Sequence, residues 1–187
     1  MKKLLLVAAL ALMSLPGYVN AQGKYFTREG RIQFNSKSTV EKIEGVNKKV
    51  TSIIDSETGQ MEFSILMKAF EFEKALMQEH FNENYVESTK FPKAGFKGSI
   101  VNNSDVKWTV DGTYPVKVQG KMTIHGVTKD LTTDGTIEVK AGKVIAKSKF
   151  IILLKDYNIE IPKLVQDKIT EDVIVLVDLN LDPFKAN

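Results

Sequence analysis

The chain has 187 residues, with 26 basic and 23 acidic side chains, two histidines, no cysteine and a formal net charge of +3. The lack of cysteine excludes a disulfide framework and thiol chemistry. Because lysines alternate with acidic residues along the chain, no clustered basic face is expected, and nucleic acid is not a predicted partner.

The first 21 residues are typical of a cleavable export signal. Two lysines precede an apolar run over residues 4–15, Pro16 and Gly17 interrupt it, and Ala21 completes a site that suits signal peptidase. The run is shorter than the roughly 20 apolar residues that span a bilayer. We therefore predict cleavage after Ala21, a periplasmic or secreted location, and a single domain over residues 22–187 without an integral membrane span.

Apolar and polar residues alternate with a period of two along most of the remaining chain, which indicates β-strands with one buried face. One dry and one wet face per strand is typical of antiparallel sheet. About eight strands are predicted near residues 31–35, 39–46, 50–55, 61–70, 93–101, 106–110, 114–125 and 130–139. Two more are predicted near residues 143–154 and 171–181.

Residues that tolerate a positive φ separate these strands and predict short hairpin turns. They occur at Glu57-Thr58-Gly59, Asp111-Gly112, His125-Gly126 and Lys140-Ala141-Gly142. Connections this short favour an up-and-down meander over a Greek key. Two stretches differ: residues 71–83 contain good helix formers and predict one short amphipathic helix, and residues 155–170 predict a long connection around Pro162.

The sequence contains no catalytic or metal-binding signature. His80 and His125 belong to no metal-ligand pattern, so a helix-end role is favoured for His80 and a hairpin role for His125. No nucleophile elbow, P-loop or dinucleotide fingerprint occurs. We predict no enzyme activity, no cofactor and no metal.

Several segments resemble the YceI-like family. They are His80-Phe81, Phe91-Pro92, the strand with Phe96, the hairpin Gly-Lys-Met-Thr-Ile-His-Gly-Val-Thr-Lys over residues 120–129, and Lys155-Asp156-Tyr157-Asn158-Ile159. The resemblance extends over residues 26–181, and the hairpin is its most specific part. Two positions depart from the family pattern: Lys155 stands where the family often has Arg, and Asn158 where it often has Gly.

The resemblance implies a lipocalin-like antiparallel β-barrel, periplasmic or secreted, that holds a polyisoprenoid or similar long-chain lipid without catalysis. An eight-stranded barrel is wide enough either to fill with side chains or to hold one small ligand. If the family's Arg contacts a ligand headgroup, Lys155 would contact it as a point charge.

The candidate cavity residues are large apolar side chains on dry faces and on the predicted helix. They are Phe63, Met77, Phe81, Phe96, Trp108, Met122, Ile124, Phe150 and Ile152. Each fits an ordinary core equally well, because a cavity and a filled core share the same alternation. A packed envelope accessory or interaction domain without lipid is therefore the alternative function, and a monomer and a homodimer are both open.

Overall fold

A computed structural model describes residues 23–36, 43–163 and 170–184. The predicted export segment and its cleavage site lie outside these residues. The strands are β1 Lys24–Ser36, β2 Ile43–Asp55, β3 Gln60–Leu66, β4 Phe70–Glu71, β5 Lys93–Ile100, β6 Gly112–Ile124, β7 Val127–Lys140, β8 Lys143–Leu153 and β9 Asp172–Pro183. One α-helix, α1 Ala75–His80, continues into a wider π-helical turn over Phe81–Tyr85.

The strands form one closed antiparallel barrel. Each long strand pairs with the next along the chain, from β1 through β2, β3, β5, β6, β7 and β8 to β9, and β9 pairs back onto β1. The two-residue β4 adds a short pairing to β2. The prediction of an up-and-down barrel of about eight strands with one or two short helices is confirmed.

Two tight hairpins have the geometry that their sequences predict. His125 and Gly126 have φ of 51° and 75°, and Ala141 and Gly142 have φ of 50° and 77°. Positive φ at both central residues is the type I′ turn, whose twist matches that of the paired strands. The predicted turn at Asp111-Gly112 is wrong: Gly112 begins β6, and Asp111 Oδ1 accepts a hydrogen bond from the Ala141 amide at 3.0 Å.

The predicted strands near residues 39–46 and 50–55 belong to one strand, β2, although residues 39–42 lie outside the described part of the chain. The prediction left residues 47–49 outside both strands. Asn47 instead stays in the strand and is fully buried, because its Nδ2 donates to the Leu66 carbonyl at 2.9 Å and its Oδ1 accepts from the Lys49 amide at 2.8 Å. Strand β1 also starts earlier than predicted, at Lys24.

The predicted strand near residues 106–110 is wrong. A 3₁₀ turn over Asn103–Asp105 follows β5, and the chain re-enters the barrel only at Gly112. Asn102 Oδ1 accepts from the Lys117 amide at 2.8 Å, and Asn103 Nδ2 donates to the Ser56 carbonyl at 2.8 Å. These side-chain bonds to the backbone offer the segment an alternative to strand pairing.

The other departures from the prediction occur at one end of the barrel. The predicted strand over 61–70 ends at Leu66, and a 3₁₀ turn over Met67–Ala69 leads into β4. The predicted helix over 71–83 is present but starts later, at Ala75. In the predicted connection over 155–170, a 3₁₀ turn spans Leu154–Tyr157, and residues 164–169 lie outside the described part.

The interior is solid in one half of the barrel only. Six side chains with at most 2% exposure fill the end where β1 begins and β9 finishes: Val50, Ile54, Val139, Val144, Leu179 and Leu181. We call this the packed half. The opposite half, next to α1, contains a cavity.

Candidate ligand cavity

The cavity has a volume of about 340 Å³ and an almost entirely apolar wall. Ile137 and Leu179, both at most 1% exposed, form its floor against the packed half. Strand alternation builds the wall, since every second residue of a strand points inward. The dry face predicted on β3 illustrates this, because Met61, Phe63 and Ile65 all line the cavity.

Four phenylalanine rings close the cavity on the α1 side, and we call them the aromatic cap: Phe34, Phe70, Phe72 and Phe81. The Phe81 ring centroid lies 5.4 Å from those of Phe34 and Phe70 and 5.0 Å from that of Phe72. Helix α1 has six residues and no side-chain cap at its N-terminus, and isolated helices this short are unstable in water. Packing of Phe81 into the cap therefore fixes the position of this segment.

His125 joins three segments on the same side of the barrel. Its Nε2 lies 2.8 Å from Glu87 Oε2, its Nδ1 lies 3.1 Å from the Tyr157 carbonyl oxygen, and the Phe91 ring packs edge-on at 4.6 Å. Glu87, His125 and Asn158, the residue after Tyr157, all have positive φ. Burial, with a smaller contribution from Asp156, raises the pKa of the Tyr157 hydroxyl above its usual value.

The structure brings most of the predicted cavity residues together. Those that line the cavity are Phe63, Met77, Phe81, Phe96, Met122, Ile124, Phe150 and Ile152. Trp108 lies apart from them, stacked on Tyr25 with ring centroids 5.7 Å apart, and its Nε1 donates to Asn103 Oδ1 at 3.1 Å. Because residue 108 follows the 3₁₀ turn rather than lying in a strand, the alternation that placed it inward does not apply.

Lys155, the predicted headgroup contact, lies outside the cavity lining. Its side chain is exposed, and its Nζ lies 3.5 Å from Glu171 Oε2. A contact between Lys155 and a ligand headgroup stays a prediction.

Sequence reasoning missed the polar groups of the cavity wall. His80 and Tyr85 line it next to α1, where burial raises the pKa of the Tyr85 hydroxyl. Thr133, Lys147 and Ser148 line it on β7 and β8. The signal was present for Thr133 and Ser148, which share the inward phase of Leu131 and Phe150. Within the described ranges, no group of three or more His, Asp or Glu side chains is placed to hold a metal ion.

Similarity to known proteins agrees with this architecture. The sequence profile of the family described as "YceI-like domain" matches residues 25–181. A comparison with curated protein sequences finds no match. In the part of the chain that is described, no helix has the length and hydrophobicity that crossing a bilayer requires.

Three solved structures share the fold. A polyisoprenoid binding domain from Saccharophagus degradans, implicated in plant cell wall breakdown, has a TM-score of 0.76 at 14% identity, over 87% of this chain and 99% of that chain. BcnA of Burkholderia cenocepacia has a TM-score of 0.67 at 16% identity, over 81% and 95% of the two chains. The YCEI protein of Campylobacter jejuni has a TM-score of 0.58 at 16% identity, over 77% and 86%. At these identities the likeness establishes the fold alone.

Proposed function

Because the chain belongs to the YceI-like domain family, we propose that it is a non-enzymatic, periplasmic or secreted protein that binds a polyisoprenoid or similar long-chain lipid in its barrel. The hollow half of the barrel carries this proposal. A barrel that served only as a packed interaction domain would gain stability by filling that space, since a void forfeits dispersion contacts of the side chains around it. Similarity to a polyisoprenoid binding domain supports this ligand class.

The cavity wall suits an extended apolar chain. Burying apolar surface contributes roughly 25 cal/mol per Å², so a long hydrocarbon gains affinity along its whole length. Phenylalanine and methionine side chains, such as Phe63, Phe150 and Met122, can adjust to the shape of a flexible ligand.

The polar lining gives little support to catalysis. Among the described residues, the titratable side chains that line the cavity are His80, Tyr85 and Lys147, and no hydrogen bond joins any two of them. A general acid and base that act together need convergent groups within hydrogen-bond reach of the reacting atoms. We therefore propose binding without chemistry.

Native mass spectrometry of the purified protein, before and after organic extraction, tests the proposal. We expect an adduct of several hundred daltons that extraction removes (on the order of one lipid chain), followed by uptake of a fluorescent long-chain fatty acid or isoprenoid. A protein without an adduct that takes up neither probe would refute lipid binding and favour the packed accessory or interaction domain.

A pair of variants locates the binding in the cavity. Phe150→Asp places a charge on the cavity wall and should abolish uptake, since an unpaired charge in apolar surroundings is costly. Ile151→Asp is the matched control, because the adjacent side chain points outward and is 53% exposed. If Phe150→Asp fails to fold, Ile152→Asn provides a milder inward change. Unchanged uptake by a folded inward variant would place the ligand elsewhere.

A further inference from the structure

Strands β7 and β8 separate before they end. Their pairing runs from Lys140↔Lys143 only to Gly135↔Ser148. Strand β7 nevertheless begins at Val127, and β8 continues to Leu153. Over these unpaired lengths β7 keeps its partner β6, and β8 keeps its partner β9. We call the point of separation, at Gly135 and Ser148, the fork.

The lining of the cavity includes outward-facing residues at the fork. In a closed sheet, neighbouring residues of a strand face opposite sides, so only alternate side chains point into the interior. At the fork, Ala146, Lys147 and Ser148 line the cavity consecutively, and so does Thr136, the cross-strand partner of Lys147. The outward-facing Lys147 and Thr136 therefore border the same cavity as the inward-facing Ala146 and Ser148, at the place where β7 and β8 separate.

Glycine at position 135 belongs to this geometry. A Cβ atom there would lie 2.7 Å from the Lys147 carbonyl oxygen, closer than a Cβ atom approaches another heavy atom. The last pair before the fork therefore needs a residue without a side chain, which lets the two strands approach closely there.

Hydroxyl groups are concentrated at the fork. Ser148 Oγ donates to the Asp134 carbonyl oxygen at 2.7 Å, and Thr133 Oγ1 lies 3.2 Å from Ser148 Oγ. This is a polar spot in a wall that is otherwise nearly all apolar. The polar end of an amphiphile needs such a spot, because burying an unpartnered polar group costs free energy.

Lys147 supplies a cation at the fork. Its cross-strand neighbours on the outer face are Thr136 and Asp178, and the carboxylate of Asp134 is exposed on β7 nearby. No carboxylate of a described residue lies within ion-pair distance of the Lys147 ammonium. Lys149, two residues along the same outer face, does not line the cavity.

We propose that the fork is where the polar end of the bound ligand meets solvent, and that Lys147 selects an anionic headgroup, a carboxylate or phosphate, on a single long chain. This inference rests on the proposed lipid binding and adds the class of headgroup and its place. The hydrocarbon extends from the fork along the apolar wall toward the aromatic cap.

Headgroup preference tests the role of Lys147. Hexadecanoic acid and hexadecan-1-ol share a chain length and differ in charge, and hexadecyl phosphate distinguishes phosphate from carboxylate. We expect the wild-type protein to bind the anions about two- to fivefold more tightly than the alcohol, the range that a partly exposed charge pair contributes. Lys147→Met should remove this preference, and the matched control Lys149→Met should keep it.

The outcomes separate this inference from the proposed function. Binding of all three probes with no preference, or a preference that survives Lys147→Met, overturns the role of Lys147. Failure of the wild-type protein to bind any of the three refutes lipid binding itself, and with it this inference.

Photocrosslinking tests the place of the headgroup. A fatty acid with a photoreactive group next to its carboxylate should label peptides that contain residues 133–136 or 147–149. Labelling confined to residues 77–85, next to α1, would show that the headgroup leaves the barrel at the helix end instead and would overturn the assignment of the fork.

Discussion

Gly126 and Gly142 occupy equivalent positions in two type I′ hairpins, with φ of 75° and 77°. Their surroundings differ. A Cβ at Gly142 would meet nothing within 4 Å, whereas a Cβ at Gly126 would lie 2.6 Å from the Phe91 ring, which also packs against His125. The two positions therefore separate the cost of backbone conformation from the cost of a steric clash.

We expect Gly142→Ala to lower the free energy of unfolding by about 1 to 2 kcal/mol, the cost of a left-handed conformation for a residue with a Cβ. Gly126→Ala should cost clearly more, because Phe91 must also move. Urea denaturation of both variants measures the difference. Equal losses would mean that the contact between Phe91 and the hairpin contributes nothing to stability.

At the scale of elements, the loop between α1 and β5 depends on distant partners for its position. His125, on the β6–β7 hairpin, contacts Glu87 of this loop and the backbone of Tyr157. Both ring nitrogens face acceptors, so both hydrogen bonds form at once when both nitrogens carry a proton. This link anchors the loop that follows the aromatic cap.

His125→Asn should release that loop while keeping the turn, because Asn tolerates positive φ but is too short to reach both partners. We expect amide hydrogen exchange over residues 86–92 to show a loss of about 1 to 3 kcal/mol in opening free energy, the cost of an unmade buried hydrogen bond. Glu87→Asn should give a similar loss, and the double variant should be no worse than either single one. Additive losses would contradict a direct link.

The alternation and turn residues of the sequence predicted elements that pair with their neighbours along the chain. They failed where contacts between residues far apart in the chain determine the structure. The β6–β7 hairpin was predicted from alternation and from His125-Gly126, and the resemblance to the YceI-like family that it carries is confirmed. The segment around Trp108 was misassigned, because Asn103 bonds to Ser56, nearly fifty residues away. The fork escaped prediction since its strands alternate normally on both sides of it.

For the whole molecule, the sequence left open whether the interior was solid or hollow, because inward alternation is the same in both cases. The structure contains both: a packed half around Leu181 and a hollow half that includes Leu131. The two halves should respond differently to loss of side-chain volume, since a side chain beside empty space has fewer contacts to lose.

Leu181→Ala should lower the free energy of unfolding by about 2 to 5 kcal/mol, the range for a leucine in a well-packed core. Leu131→Ala deletes the same atoms from the cavity wall of the ligand-free protein and should cost less than half as much. Thermal or urea unfolding of both variants, after organic extraction, provides the comparison. Equal costs would indicate that the hollow half collapses around its wall in solution.

Pairing of β1 with β9 joins Tyr25 to Pro183 and Ser36 to Val173, so the seam that completes the cylinder connects the first strand of the barrel with the last one to be translated. Until β9 emerges from the ribosome, both β1 and β8 present free hydrogen-bonding edges, which invite association with other chains. Contacts so distant along the chain also form slowly. A nascent polypeptide of this kind therefore remains an unsealed sheet until β9 has been synthesised, and truncation before β9 removes the seam rather than shortening the barrel.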